Sequence, residues 1–197
     1  MDLIAALLEE GEATELAEKE TDYSGKDFSD GIIRDSSFSS VRFNCADFSN
    51  SVITDTVFDS CDFSNADFSS SSLLRVRFTH CKLTGTVFYS SRLRRTIVES
   101  SAGRYVSFDK SALEDVVITD SDFPDSSFAS LIHKKLELSS CNLSRSDFRQ
   151  TSLASVNLTS SSLSAISLSE GYKELKGAKI DVSQALDIVK GLGVELI

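Results

Sequence analysis

An apolar side chain stands at every fifth residue of this chain for most of its length, a rhythm that neither a helix (period 3.6) nor a plain strand (period 2) produces. Counting in fives from Tyr23 to Leu168 gives thirty positions, and only Gly103 and His133 among them are neither aliphatic nor aromatic. All thirteen Phe fall in this one register, which chance would achieve about once in a billion trials, so the period is built in. The residues two before each large one are mostly compact: Ser36, Ala46, Cys61, Ala66, Cys81, Ser111, Ser121 and Cys141. One large and one small inward position per unit make a filled interior with no room for a ligand.

A longer period lies over the short one. At a spacing of twenty, one series reads Phe28, Phe48, Phe68, Phe88, Phe108, Phe128, Phe148, Leu168, and another Ile33, Ile53, Leu73, Leu93, Leu113, His133, Leu153. Separate series keep separate chemistries, as expected if four five-residue sides close one coil and coils stack in register. With strands about 4.8 Å apart, thirty units predict a rod of roughly 36 Å. Outward columns follow the same spacing. Asp22, Arg42, Asp62 and Lys82 alternate in sign, which favours stacking, whereas Asp27, Asp47 and Asp67 place like charges over one another. The plain reading of those three Asp is turn chemistry; the functional one is an acidic stripe that faces a partner.

Motifs such as "ADFSN", "CDFSN", "ADFSS", "CNLSR" and "SDFRQ" resemble the pentapeptide repeat family over about three quarters of the chain. The resemblance implies an all-β solenoid, a right-handed quadrilateral β-helix. The expected organisation is an N-terminal helical cap over 1–20, a repeat body over 21–168, and a C-terminal coil, helix and dimerisation tail over 169–197. In the cap, Asp2 is placed to N-cap a helix with Leu3, Ile4, Leu7 and Leu8 on one apolar face and Gly11 allowing a bend. Near "EGYKE" the register slips by two residues and resumes at Leu175 and Ile180.

Composition narrows the function classes. A hydrophobic content of 41% with a single Pro excludes disorder, and the net charge of -10 argues against direct nucleic-acid binding. No apolar run is long enough to span a bilayer, and the first residues lack a signal-peptide pattern, so the expectation is a cytoplasmic protein without a membrane partner whose four Cys are reduced. Charge is uneven along the chain: residues 1–20 carry -6, residues 21–70 carry -6, residues 71–108 carry +6 and residues 109–168 carry -3. The basic band consists of Arg75, Arg77, Lys82, Arg92, Arg94, Arg95 and Arg104 against Glu99 alone.

The tail, "GAKIDVSQALDIVKGLGVEL", is similar to the C-terminal segment of the MfpA and Qnr type members of the family, with Gln184 and Ala185 as the Gln-Ala pair and Leu192 and Gly193 at the turn. That resemblance implies a tail-to-tail homodimer through Gln184, Ala185, Ile188, Val189, Leu192, Val194, Leu196 and Ile197. It also implies a rod that imitates duplex DNA and binds DNA gyrase or topoisomerase IV, protecting it from quinolones or peptide toxins, with Asp27, Asp47 and Asp67 as the gyrase-facing stripe. The uninterrupted register leaves no room for inserted loops, so loop-free members are the nearer match. The basic band keeps a second reading open, a structural or protein-interaction scaffold with another partner. Neither reading calls for catalysis: His80 and His133 have no metal-ligand spacing, no His and acid are arranged around a Ser, and phosphate-binding Gly loops are missing. No enzyme, cofactor or metal is expected. At Gly103 the lost side chain suggests a bend or a wider coil, partly refilled by Tyr105.

Overall fold

The structure, a computed structural model, describes residues 2–191. Helix α1 (Leu3–Glu10) opens the chain. Strands follow in pairs: β1 (Glu12–Thr14) and β2 (Ala17–Lys19), β3 (Ile32–Arg34) and β4 (Ser37–Ser39), β5 (Val52–Thr54) and β6 (Val57–Asp59). The pattern continues with β7 (Ser72–Leu74) and β8 (Arg77–Thr79), β9 (Arg92–Arg94) and β10 (Ile97–Glu99), then two longer strands, β11 (Ala112–Thr119) and β12 (Ile132–Ser139). A 3-10 turn at Lys173–Leu175 and helix α2 (Val182–Gly191) close the described chain.

Every pairing is parallel and offset by one coil, as in Ile33↔Ile53↔Leu73↔Leu93↔Leu113↔His133 and Phe38↔Phe58↔Phe78. Two further sides ladder through single bridges, Asp22↔Arg42↔Asp62↔Lys82 and Asp27↔Asp47↔Asp67↔Val87. Four ladders around one axis give the four-sided solenoid that the twenty-residue period requires.

Inside, the large column of one side is a ring stack: Phe28–Phe48 4.9 Å, Phe48–Phe68 4.7 Å, Phe68–Phe88 5.0 Å and Phe88–Phe108 4.9 Å between centroids. Ring spacing thus equals strand spacing, so aromatic stacking and backbone laddering are satisfied by the same rise. The compact column tolerates polar residues because nearly all its hydroxyls and thiols donate to buried carbonyls, Ser51 being an exception. Ser71 Oγ reaches Phe68 O at 2.6 Å, Thr86 Oγ1 reaches Phe63 O at 2.9 Å, and Cys61 Sγ reaches Phe38 O at 3.4 Å.

Each unit turns its corner on a residue in the left-handed region, at nearly every multiple of five from Glu15 to Ser155, with φ between 46° and 70°. Gly25 and Gly85 serve two of these corners, and Asp or Asn occupies Asp30, Asp35, Asn50, Asp55, Asn65, Asp115, Asp120 and Asp125, the residue types least strained there.

Four sequence expectations change in detail. The helical cap is shorter than 1–20: α1 ends at Gly11 (φ 69°), and β1 and β2 already ladder onto β3 and β4, so the solenoid starts near residue 12. In α1, Leu3 and Ala6 are buried whereas Leu8 is 81% exposed. Gly103 widens nothing. A Cβ there would lie 2.5 Å from the Leu83 carbonyl carbon, the ladder continues through it (Gly103 N–H to Asp122 O, 2.8 Å), and Tyr105 is 60% exposed rather than inward. The irregular coil is instead the one that begins at Leu131.

There, Leu131 and Leu136 take up compact places held elsewhere by Ser51, Ser71, Ser91, Ser111, Thr56 and Thr96. Among the described residues no backbone hydrogen bond joins 132–139 to 152–159, while the opposite sides stay laddered through Asn142, Ser162 and Ser167. Side chains bridge the opening: Leu131 N–H donates to Thr151 Oγ1 at 2.8 Å, and the His133 ring donates through Nε2 to Ser152 O at 2.5 Å. Bulk in the small column has separated two coils along two sides.

The register slip is present. Asn157 pairs with Lys179, and Leu153 N–H donates to Glu174 O at 2.8 Å, so the final coil is two residues longer than the others. Among the described residues no helix is long and apolar enough to cross a membrane.

Candidate interaction surface

The acidic stripe forms as the sequence predicts, and its geometry explains how like charges tolerate one another. Asp27, Asp47 and Asp67 are bridged neighbours in successive coils. Each turns Oδ1 back onto the backbone N–H two residues on: Ser29 at 2.9 Å, Ser49 at 2.8 Å and Ser69 at 2.7 Å. One carboxylate oxygen therefore holds the corner and the other remains outward. The Ser29 hydroxyl and amide keep the Asp27 carboxyl below the usual carboxylate range, so it stays ionised. No cation occupies this column before Val87. On the neighbouring side the alternating column pairs, with Arg42–Asp22 at 2.6 Å and Lys82–Asp62 at 3.7 Å.

Most of the basic band is neutralised within the chain. Arg75 holds Asp55 through two bonds of 2.5 and 2.6 Å, Arg77 reaches Glu99 at 3.2 Å, and Arg104 reaches Asp125 at 2.7 Å. Arg92, Arg94 and Arg95 have no ion-pair partner among the described residues.

For catalysis the described residues offer little. Burial pushes the Cys141 thiol up to about 11, the reverse of an activated nucleophile. Most buried Ser and Thr hydroxyls are engaged with carbonyl oxygens, as at Ser71, Thr86 and Thr151; Ser51 Oγ has no partner among the described residues. His80 contacts Asp59 (3.0 Å) on the surface, and no cluster of three or more His, Cys, Asp or Glu is poised for a metal among the described residues.

The family model for pentapeptide repeats matches residues 61–99 and 137–169, in eight copies, on the same four-sided coils. Those residues carry pentapeptide repeats, and the fold is the pentapeptide-repeat solenoid. No curated protein matches it in sequence. Among solved structures, a trypsin-treated form of QnrB1, a plasmid-mediated fluoroquinolone resistance protein, is 21% identical, with 94% of this chain and 99% of that chain covered and a TM-score of 0.37. HetL, a pentapeptide repeat protein involved in heterocyst differentiation regulation in the cyanobacterium Nostoc sp. strain PCC 7120, is 17% identical, with 85% and 86% covered and a TM-score of 0.33. Neither likeness assigns a function to this chain.

At the C-terminal end of the pentapeptide rod, the residues expected at a dimer interface divide. Gln184 is buried against its own chain: Nε2 donates to Leu158 O at 2.6 Å and Ser161 O at 2.5 Å, capping carbonyls that the last coil leaves open. Its Oε1 accepts from Asp181 N–H while Asp181 Oδ1 accepts from Gln184 N–H, both at 2.8 Å, a reciprocal capping box that starts α2. Ala185, Ile188 and Val189 are half-buried. Leu192, Val194, Leu196 and Ile197 lie outside the described residues. Sequence reasoning passed over Val182 (78% exposed) and Leu186 (44% exposed), which share the outer side of α2 at i, i+4 spacing. It also passed over Glu174, a buried carboxylate that accepts from Gln150 N–H at 2.9 Å and Ser169 N–H at 3.3 Å across the register slip.

Proposed function

We propose that this pentapeptide rod is a DNA-mimicking binder of a type II topoisomerase, DNA gyrase or topoisomerase IV, which modulates the enzyme and protects it from quinolones or gyrase toxins. Charge density carries the reading. Between residues 12 and 70, leaving out the inward Glu18, twelve acids stand against four bases. Three coils of about 4.8 Å thus present one net negative charge per roughly 1.8 Å of axis, against about 1.7 Å in duplex DNA. A cytoplasmic location and a homodimer through the C-terminal end belong to the same reading, the exposed Val182 and Leu186 supporting the dimer.

A supercoiling titration with gyrase at low salt, with and without a quinolone, tests it. The protein is expected to inhibit supercoiling or to reduce drug-stabilised cleavage. The triple variant Asp27→Asn, Asp47→Asn, Asp67→Asn removes three charges but keeps the corner bonds, because an amide oxygen accepts as well, and is expected to lose the effect at unchanged melting temperature. No effect at large excess, or an equal effect from the triple variant, would sink the reading. The second reading, a scaffold for another protein, is favoured by the three unpaired arginines.

A further inference from the structure

The face formed by β5, β7, β9, β11 and β12 carries two outward columns. One runs Val52, Ser72, Arg92, Ala112, Ile132 and the other Thr54, Leu74, Arg94, Glu114, Lys134. Between them lie two adjoining depressions of about 380 and about 410 Å³ that share Arg92, Arg94 and Glu114. One extends past Leu113 to Ile132, His133 and Lys134, and the other reaches back to Ser72 and Leu74. Together they form one shallow groove parallel to the rod axis.

Its arginines are unbalanced, whereas every other arginine among the described residues holds a carboxylate. Arg94 lies beside Glu114, but Glu114 is taken by Lys134 one coil further on, at 3.0 Å. Asp115, beside Arg95, is likewise taken by Lys135, at 3.0 Å. Arg92 has Ser72 and Ala112 as ladder neighbours and no anion in its column. The lysines of β12 have claimed both local acids, which leaves three guanidinium groups outward. At the far end of the groove Ile132 is 72% exposed, an apolar residue left uncovered by the described residues.

We propose that this groove docks an extended acidic protein segment, with carboxylates on Arg92 and Arg94 and an apolar side chain on Ile132. Guanidinium forks match carboxylates in two-point bonds. The step from Arg92 to Ile132 is two coils, about 10 Å, which an extended chain covers in about three residues. The occupant is therefore an acidic residue followed three places later by an apolar one. A protein segment fits better than a nucleic acid, because Ile132 offers a phosphate backbone nothing and the acidic coils of residues 12–70 repel one. This surface is separate from the Asp27 stripe, so its failure leaves the topoisomerase reading untouched.

The test is an amide chemical-shift titration of the ¹⁵N-labelled full chain with the peptide acetyl-Glu-Glu-Ser-Ser-Leu-Ser-amide. Shifts are expected at residues 92–94, 112–114 and 132–134, to vanish when Gln replaces Glu in the peptide, and to fade at Ile132 when Ala replaces its Leu. The outward variant Arg92→Ala/Arg94→Ala, checked for an unchanged melting curve, is expected to bind at least about tenfold more weakly. The proposal is overturned by an absence of shifts up to millimolar peptide, or by undiminished binding to that variant. Tighter binding of tripolyphosphate or of an oligothymidine of equal charge would equally overturn it, by showing a general anion surface.

Discussion

Single side chains in this rod act twenty residues from where they stand in sequence. Phe48 lies between Phe28 at 4.9 Å and Phe68 at 4.7 Å and is fully buried. Replacing it by Ala is expected to cost about 3–5 kcal/mol, read from urea unfolding. Asp125 is a surface counterpart: two bonds from Arg145, at 2.6 and 2.8 Å, with Arg104 beside them, bring its carboxyl from 3.8 down to about 2. A depressed folded value stabilises above the ordinary one and is lost as pH falls through the folded one. The melting-temperature advantage over Asp125→Asn is therefore expected to be full at pH 5 and to shrink between pH about 4 and about 2. At this scale much was legible, since the five-residue register already named the ring stack. The left-handed corners were not read from the sequence, although Gly, Asp and Asn recur at multiples of five. What hid them was company: Arg75, His80, Arg95, Tyr105 and Lys135 occupy the same conformation, held there by ladders on both sides rather than by their own preference.

Elements at the two ends show where local pattern and tertiary contact part. Helix α1 read correctly as a cap, yet its extent did not. Residues 12–19 lack the large inward residue at Glu18, and only the structure shows that carboxylate accepting from Leu3 N–H at 2.7 Å and Tyr23 OH at 2.6 Å. Ala13 and Glu18 continue the register in disguise. At the other end Gln184, expected at a dimer interface, is engaged within its own chain. Its amide faces carbonyls of its own last coil, contacts with residues more than twenty places away that no local pattern encodes. Gln184→Leu is expected to leave those carbonyls unpaired, cost about 1–3 kcal/mol, and raise hydrogen exchange in α2 and the final coil while the central coils keep their protection. Equal exchange along α2 in both proteins would remove Gln184 from the cap. The open seam beside β12 has a matching expectation. Leu136→Thr, which restores the residue type at Thr56 and Thr96, is expected to lower amide exchange along 132–139 by closing the ladder to 152–159.

Across the whole molecule, polarity runs along the axis: acidic coils first, then a basic belt, then a mildly acidic end. Such a rod is expected to approach a cationic partner with its N-terminal end leading, and its association rate to fall steeply with added salt, as rapid-mixing kinetics would show. The dimer proposed above would use the outer side of α2. Val182→Asp/Leu186→Asp is expected to convert a dimer to a monomer in sedimentation velocity while circular dichroism stays unchanged; a dimer that survives both changes would place the contact elsewhere.

The constant offset of twenty between ladder partners, broken only at the two-residue slip before α2, makes length a discrete quantity in this protein. Adding or deleting one coil between β3 and β9 shifts everything beyond it by about 4.8 Å and leaves both caps, which touch only their own end coils, as they were. The acidic span and the distance from it to the arginine groove are therefore separate settings on a ruler graduated in coils, and a lineage could change the reach of one without rebuilding the other.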